Sequence, residues 1–573
     1  MKDYIQAAEG KRKADILLKN GQLVNVLSGE IYPSNVVIYK DMIVGISSAA
    51  ENHWEVEKTL DLNGKYILPG LMDAYIRMEA SLLHPAEFVR AAVAQGTTAV
   101  IADPHEIANV LGVSGIKYIM DATRNLPVDV YFIIPSRVPA TPLETSGASL
   151  KLDDLLPFLK KDRVFGLAED QDYSDVLGGE KEILKKIMQA RGHVIDGNCP
   201  GLSGKDLNAY LVAGISSDHA ASSVEEAIEK VRKGMWVYVR QGSSFKEVKA
   251  LAPFIARNSF HFLCFCTDDI SPRDLSLGHV NGILRDAVAA GVDAMTAVRM
   301  ATLSPCCRYC LQKRGAVAPG YFADIVVVSD LIDFKVDRVF KDGVLVVERG
   351  NPVYEAKIKR KSIVKETMNV KELKAEKLAV KATSDAARVI QIMPGEIMTK
   401  TAKESVLVKE GFVVSDIERD ILKLAVVERH KGTGKVSLGL VRGFGIIKGA
   451  IASSISHDSH NLICVGVNDE DMLSALRQVV KLKGGVVVVS GGLITAELAL
   501  PVAGLMSEEL LHDVDDKMQK IEKAIQDMGS KLDNAVEALS YLALPTIPEL
   551  RLSDLGLVDV DAKKIVPLFD SQA

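Results

Sequence analysis

The chain reads as an α/β protein: a (β/α)8 TIM-like barrel with a small composite β-sandwich, followed by a separate C-terminal α/β domain. Three observations predict this. Between Tyr66 and Asp269, a short β-branched or apolar run, a polar residue and a helical stretch recur eight times in about 200 residues, the cadence of a closed parallel barrel. Pieces rich in β-formers, with Asn-Gly and Asp-Gly turn signals, flank that region on both sides. Past a charged stretch, strands and helices resume without repeating the barrel's sequence.

In chain order, residues 1–62 together with 312–354 are expected to form the sandwich, 63–311 the barrel, 355–385 a charged linker and 386–573 the C-terminal domain. The predicted barrel strands are Tyr66–Leu68, Thr98–Ala102, Val130–Ile134, Val164–Ala168, His193–Ile195, Gly214–Ser217, Met235–Val239 and Phe262–Cys266. The linker is predicted from a Lys- and Glu-rich run without glycine. In the last domain the strand runs are Ser405–Leu407, Leu422–Val427, Val436–Leu440, Leu462–Val467 and Gly485–Val489, and the helical runs are Asp471–Leu482 and Ser507–Met528.

Composition excludes several classes. At 48% hydrophobic and 25% charged, 573 residues bury several cores. The net charge of −6, from 69 Lys+Arg against 75 Asp+Glu, supplies no field for nucleic acid or an anionic membrane, so neither is an expected partner. No apolar run reaches the roughly 18 residues of a spanning helix, and Met1-Lys-Asp-Tyr-Ile-Gln6 lacks an apolar signal core, so a cytoplasmic location is expected. Seven cysteines are an odd, sparse set that reads as reduced thiols. Cys306, Cys307 and Cys310 lack a second cysteine pair and read as an apolar helix cluster, not a metal knuckle.

Reacting groups of a barrel sit at the C-terminal ends of its strands. Found there are Tyr75 and Arg77, Asp103, His105 and Glu106, Ser136 and Arg137, Glu169 and Asp170, Asn198, Asp218 and His219, Arg240, and Asp268 and Asp269. Tyr75 and Arg77 stand at i and i+2 and therefore share a face. Asp103, His105 and Glu106 fit two roles equally, capping the next helix or lining a pocket. His84 and His279 read as packing or helix-surface residues.

Several motifs then carry a resemblance. Ala102-Asp-Pro-His-Glu-Ile-Ala-Asn-Val-Leu-Gly112, Pro139-Ala-Thr-Pro-Leu-Glu-Thr-Ser-Gly147, Leu202-Ser-Gly-Lys-Asp-Leu-Asn-Ala-Tyr210, Cys266-Thr-Asp-Asp269 and Gly315-Ala-Val-Ala-Pro-Gly320 resemble the adenine deaminases of the amidohydrolase superfamily. So do Val426-Val-Glu-Arg-His430, Ser456-His-Asp-Ser-His-Asn461 and Asn468-Asp-Glu-Asp471 in the last domain. The resemblance implies hydrolysis of adenine to hypoxanthine and ammonia by a water activated on a divalent metal, manganese before iron or zinc. It also implies a small-molecule purine substrate, a homo-oligomer, and Asp268 and Glu169 as the catalytic carboxylates.

Position by position, the match is partial. Tyr75 and Arg77 stand where the family's first-strand histidines bind metal, and Asn198 replaces a fifth-strand histidine. Glu169, His219 and Asp268 are kept, so the residual ligand set is these three with the Asn198 carbonyl, sufficient for one ion with an open position. A guanidinium cannot ligate. Arg77 is therefore expected to occupy the vacated metal site, paired with Asp268, Glu169 or both, in which case no ion is bound there. Glu79, Asp103, His105, Glu106, His457 and His460 are candidates for the substrate pocket. Two alternatives to adenine hydrolysis stay open: a catalytically impaired homologue that binds a purine-like ligand, and a single-metal amidohydrolase acting on another heterocycle.

Overall fold

The computed structural model describes residues 1–48, 51, 53–168, 173–257, 261–354, 362–393 and 395–569. Eight parallel strands form the barrel: Leu71–Ile76, Thr97–Ala102, Asp129–Ile134, Val164–Leu167, Val194–Ile195, Ser217–Asp218, Trp236–Arg240 and Leu263–Cys266. The first five and the last three make continuous ladders. Backbone bonds close the ring, from Ser216 N–H to Ile195 O (3.1 Å), Asp268 N–H to Tyr75 O (3.0 Å) and Arg77 N–H to Asp268 O (2.8 Å). Ile101 and Ile133 point inward beside Tyr75, Tyr238, Cys264 and Cys266, while Val100, Val130, Val237 and Phe265 pack outward on the helices. This is the period-two alternation of strands buried on both faces.

The first strand is a correction to the sequence reading. Tyr66–Pro69 belongs to the sandwich, where it pairs antiparallel with Ile325–Val328 and parallel with Ala14–Asn25, and the barrel opens at Leu71. The chain crosses from one sheet to the other at Gly70, where a Cβ would lie 2.1 Å from Thr98 Oγ1, so only glycine fits so close an approach. The two flanking pieces share one nine-stranded sheet, closed over Leu18, Leu23, Ile38, Ile67, Ile325 and Phe340.

The C-terminal domain is more sheet-rich than expected. Its eight strands run in the order Thr399–Ser405, Ala386–Ile392, Val436–Arg442, Ile421–Val427, Leu462–Gly466, Ala450–Ser453, Gly485–Ser490 and Leu493–Ala499, antiparallel except for the second and third. Helix Asp469–Lys481 packs on this sheet through Met472, Ala475, Leu476 and Val479. Of the expected linker, 355–361 lies outside the described residues. The part beyond it is no spacer, because Leu373 and Leu378 join the core beneath that helix and Asn369 N–H donates to Arg429 O at 2.9 Å or less.

The domain docks on the barrel through polar bonds as well as packing. His84 N–H donates to Ser507 O (2.9 Å), Ser507 N–H to Leu82 O (2.7 Å), Asn461 Nδ2 to Thr145 O (2.9 Å) and Thr145 N–H to Asp554 Oδ1 (2.7 Å). Among the described residues, no helix is long and apolar enough to cross a membrane. All seven cysteines are free. Cys306 packs on Met72, whereas Cys307 and Cys310 are exposed.

Candidate active site

At the barrel mouth, Tyr75 and Arg77 share a face as their spacing predicts, with Arg77 Nε 3.4 Å from the Tyr75 hydroxyl. The hydroxyl donates to Asp103 Oδ2 (3.0 Å), and the Tyr75 ring stacks on His219 with centroids 4.5 Å apart. Of the two partners expected for Arg77, Glu169 lies outside the described residues, and no hydrogen bond or ion pair joins Arg77 to Asp268 among the described ones. Asp268 Oδ2 accepts from Arg240 (3.2 Å), which also holds Glu247 (2.9 Å). Arg77 instead reaches Glu106 Oε1 (3.4 Å). Burial pushes the Asp268 carboxyl up, but the charges of His219, Arg77 and Arg240 outweigh it and hold the group below the usual range.

Asn198 lies on the turn after the fifth strand, fixed by Cys199 N–H donating to Asp218 Oδ1 (2.7 Å). Asp218 is ion-paired with the fully buried Lys230 (3.0 Å), so it braces that turn instead of facing substrate. The Asn198 carbonyl oxygen is buried with no hydrogen-bond partner among the described residues. Glu169 and Asp170 lie outside the described residues.

The donor set answers whether this mouth suits the family's metal pair. A phenol bonded to Asp103, a guanidinium and an Asp268 already neutralised by Arg240 surround His219. Among the described residues this set does not fit such a centre, because a dication here would face two fixed positive charges, Arg77 and Arg240.

A second cluster lies where the barrel meets the C-terminal sheet. The helix after the second strand, His105–Leu111, has Pro104 as its N-cap and no side-chain cap bond, so the capping role is not the one Asp103, His105 and Glu106 take. Opposite stands the loop between Ala450–Ser453 and Leu462–Gly466, which carries His457, Asp458 and His460. His460 Nε2 lies 2.5 Å and His457 Nδ1 3.4 Å from Glu106 Oε2, and His105 Nε2 lies 3.7 Å from Asp458 Oδ2. The His457 ring stacks on Tyr541, with centroids 5.2 Å apart.

The loop is held from beneath by the Val426–His430 motif. Buried Arg429 spends its donors on backbone carbonyls of His460, Thr367 and Ala503, and His430 Nε2 lies 2.6 Å from Ser459 O. Among the described residues the Arg429 guanidinium meets no carboxylate, and burial pushes it down to about 9.

Charges at this seam are skewed acidic. Burial, then the Glu106 charge, pushes the Glu79 carboxyl up to about 8, although Ile107 N–H donates to its Oε1 (3.2 Å). Burial opposes charging His105, yet Asp458 lifts that imidazole to about 9. Glu106 sits well below its ordinary value because the two imidazoles facing it overcome burial.

The structure therefore brings Glu79, Asp103, His105, Glu106, His457 and His460 into one bonded cluster with Tyr75 and Arg77. His84 and His279 are buried and structural. His84 caps helix Pro85–Ala94, and His279 bridges Thr97 and Asp73. Sequence reasoning missed Glu247, Asp458 and Tyr541. Asp458 had a signal, since it lies inside the Ser456–Asn461 motif, whereas Tyr541 has none.

Comparison with known proteins identifies the family. Residues 66–346 match the model of the Amidohydrolase family, and residues 396–564 match the Adenine deaminase C-terminal domain. The chain is 43% identical over 570 residues to adenine deaminase 2 of Carboxydothermus hydrogenoformans, covering 99% of each chain. It is 42% identical over 569 residues to adenine deaminase of Desulfatibacillum aliphaticivorans, and 42% over 572 residues to that of Methanothrix thermoacetophila, again covering 99% of each. The two motif sets that meet across the seam come one from each matched region, and the chain belongs to the adenine deaminase family.

Proposed function

We propose that this chain hydrolyses adenine to hypoxanthine and ammonia in the pocket between the barrel mouth and the Ser456–Asn461 loop. The observation that carries the reading is the bond between Glu106 and His460, which joins a barrel motif to a C-terminal motif in one buried site. A purine ring suits this neighbourhood, which is rich in stacked rings, Tyr75 on His219 and His457 on Tyr541, with polar groups from Glu79, Asp103 and His105 close by.

Glu79 keeps its proton at neutral pH, so it serves as a hydrogen-bond donor toward a ring nitrogen. Asp268 is ionised and is assigned the proton of the attacking water. That proton must then reach the departing amine so that it leaves as ammonia. A cytoplasmic location is part of the reading, supported by seven thiols with none of them paired.

One observation favours a second reading, a purine-binding homologue with impaired turnover. Asp268 is committed to Arg240, and a carboxylate held below its usual range is a weak base. Incubating the purified full chain with adenine and following hypoxanthine and ammonia together tests both. Stoichiometric release of the two products supports hydrolysis, saturable adenine binding without them moves the assignment to the second reading, and absence of both binding and turnover overturns the two together.

A further inference from the structure

Glu106 Oε2, His457 Nδ1 and His460 Nε2 lie within 4.8 Å of one another, and among the described residues no other three His, Cys, Asp or Glu side chains converge this way. The two oxygens of Glu106 are divided between roles. Oε1 faces Arg77, and Oε2 faces both imidazoles. Glu106 and His460 have side chains 3% and 1% exposed and are fixed in the seam, while His457, at 21%, borders the open pocket.

Two imidazoles and one carboxylate are the donor set of a catalytic-type zinc site, and bonds of about 2.0–2.2 Å separate tetrahedral ligands by roughly 3.4 Å. The spacing of His457 from Glu106 already has that value at 3.4 Å, and only the 2.5 Å spacing of His460 must widen. Surroundings favour a cation independently of these three. Glu79 Oε2 and Asp458 Oδ2 are buried without hydrogen-bond partners among the described residues, and Asp103 adds a third carboxyl nearby. Against these acids stand Arg77 and His105.

We propose that Glu106, His457 and His460 hold one divalent ion of the zinc class at the seam, with its fourth position open to the pocket. The oxygen-rich preference for manganese expected of Glu169, Asp268 and Asn198 does not extend to this nitrogen-rich set. Coordination displaces the protons through which the imidazoles now bond Glu106, so uptake releases protons. At His460 the ring proton moves to Nδ1, at the cost of the 3.3 Å contact from Ser456 N–H. Arg429, bonded to the His460 carbonyl, keeps the loop in place while this happens. The proposal concerns ion binding and does not rest on adenine being the substrate.

The test uses the full chain, stripped with a chelator, dialysed and titrated with zinc or cobalt(II). Expected are about one ion bound per chain, visible cobalt bands of four-coordinate intensity, and proton release on binding. His457→Ala, whose side chain borders the pocket and whose loss spares the buried pair, is expected to weaken cobalt binding by about 100-fold or more, and Glu106→Gln similarly. A His219→Asn, Asp268→Asn double variant is expected to retain the ion. A wild-type chain that binds no ion, or one whose binding survives His457→Ala and Glu106→Gln or is lost in the barrel double variant, overturns the site. Ion binding with no adenine turnover would instead sink the functional reading and leave this one standing.

Discussion

At the barrel mouth each described acid has a cation or hydroxyl to answer it: Asp268 and Glu247 share Arg240, and Asp103 takes the Tyr75 hydroxyl. Across from it, at the seam, Glu79, Glu106 and Asp458 crowd around imidazoles, with Arg77 facing Glu106 and Arg429 bonded to the backbone beneath His460. The difference teaches where metal-like chemistry survives in this chain. One side is neutralised by the ion pairs of Arg240, whereas the other gathers three imidazoles and a surplus of buried carboxyls.

The largest expected effect tests the acid surplus. Glu79 titrates near its ordinary 4.5 when unfolded and at about 8 when folded, so its contribution is fully present below pH 4.5 and is lost as pH rises through 8. Across that window the wild type is expected to lose on the order of 5 kcal/mol relative to Glu79→Gln, read from urea midpoints of both chains at several pH values. A difference that stays flat with pH would show that the seam carries no raised carboxyl.

Next in size is the neutralised side. Arg240→Ala strands Asp268 and Glu247 in the interior and is expected to cost about 3–5 kcal/mol in chemical denaturation. A loss under about 1 kcal/mol would mean the pair is solvated and the contrast between the two regions is false.

A third experiment reverses the replacement. Tyr75→His, Arg77→His and Asn198→His together remove the guanidinium and restore three nitrogen donors beside His219, and adenine turnover is expected to rise by about 100-fold or more with added manganese. Unchanged turnover would place the defect elsewhere than in the ligands. Smallest is the seam itself. Asn461→Ala strands Arg429 N–H and Thr145 O, and a loss of about 1–2 kcal/mol in urea stability is expected. No change would argue that the loop is held by Arg429 and His430 alone.

Much of this architecture is written locally. Alternation and turn signals place seven of the eight barrel strands within a few residues, because a strand buried on both faces needs a continuous apolar run whatever surrounds it. Tyr66–Pro69 has the same composition but went to the sandwich, since pairing with Ile325–Val328 depends on a segment more than 250 residues away. Within the site, the sharing of one face by Tyr75 and Arg77 follows from spacing alone. That Arg77 answers Glu106 while Arg240 takes Asp268 does not, because only the positions of the two guanidiniums around the ring decide which carboxylate each one reaches.

What the sequence by itself determined is the barrel, its flanking sheet and the presence of a phenol, a guanidinium and an amide at 75, 77 and 198, all properties of residue type and period. Tertiary structure alone decided that a loop from a different sheet delivers His457 and His460 to Glu106, some 350 residues apart in the chain. The reason is physical: periodicity encodes which face of an element is buried, but which two buried faces meet is settled by packing of whole domains, and a pocket made at their junction exists only once they have docked.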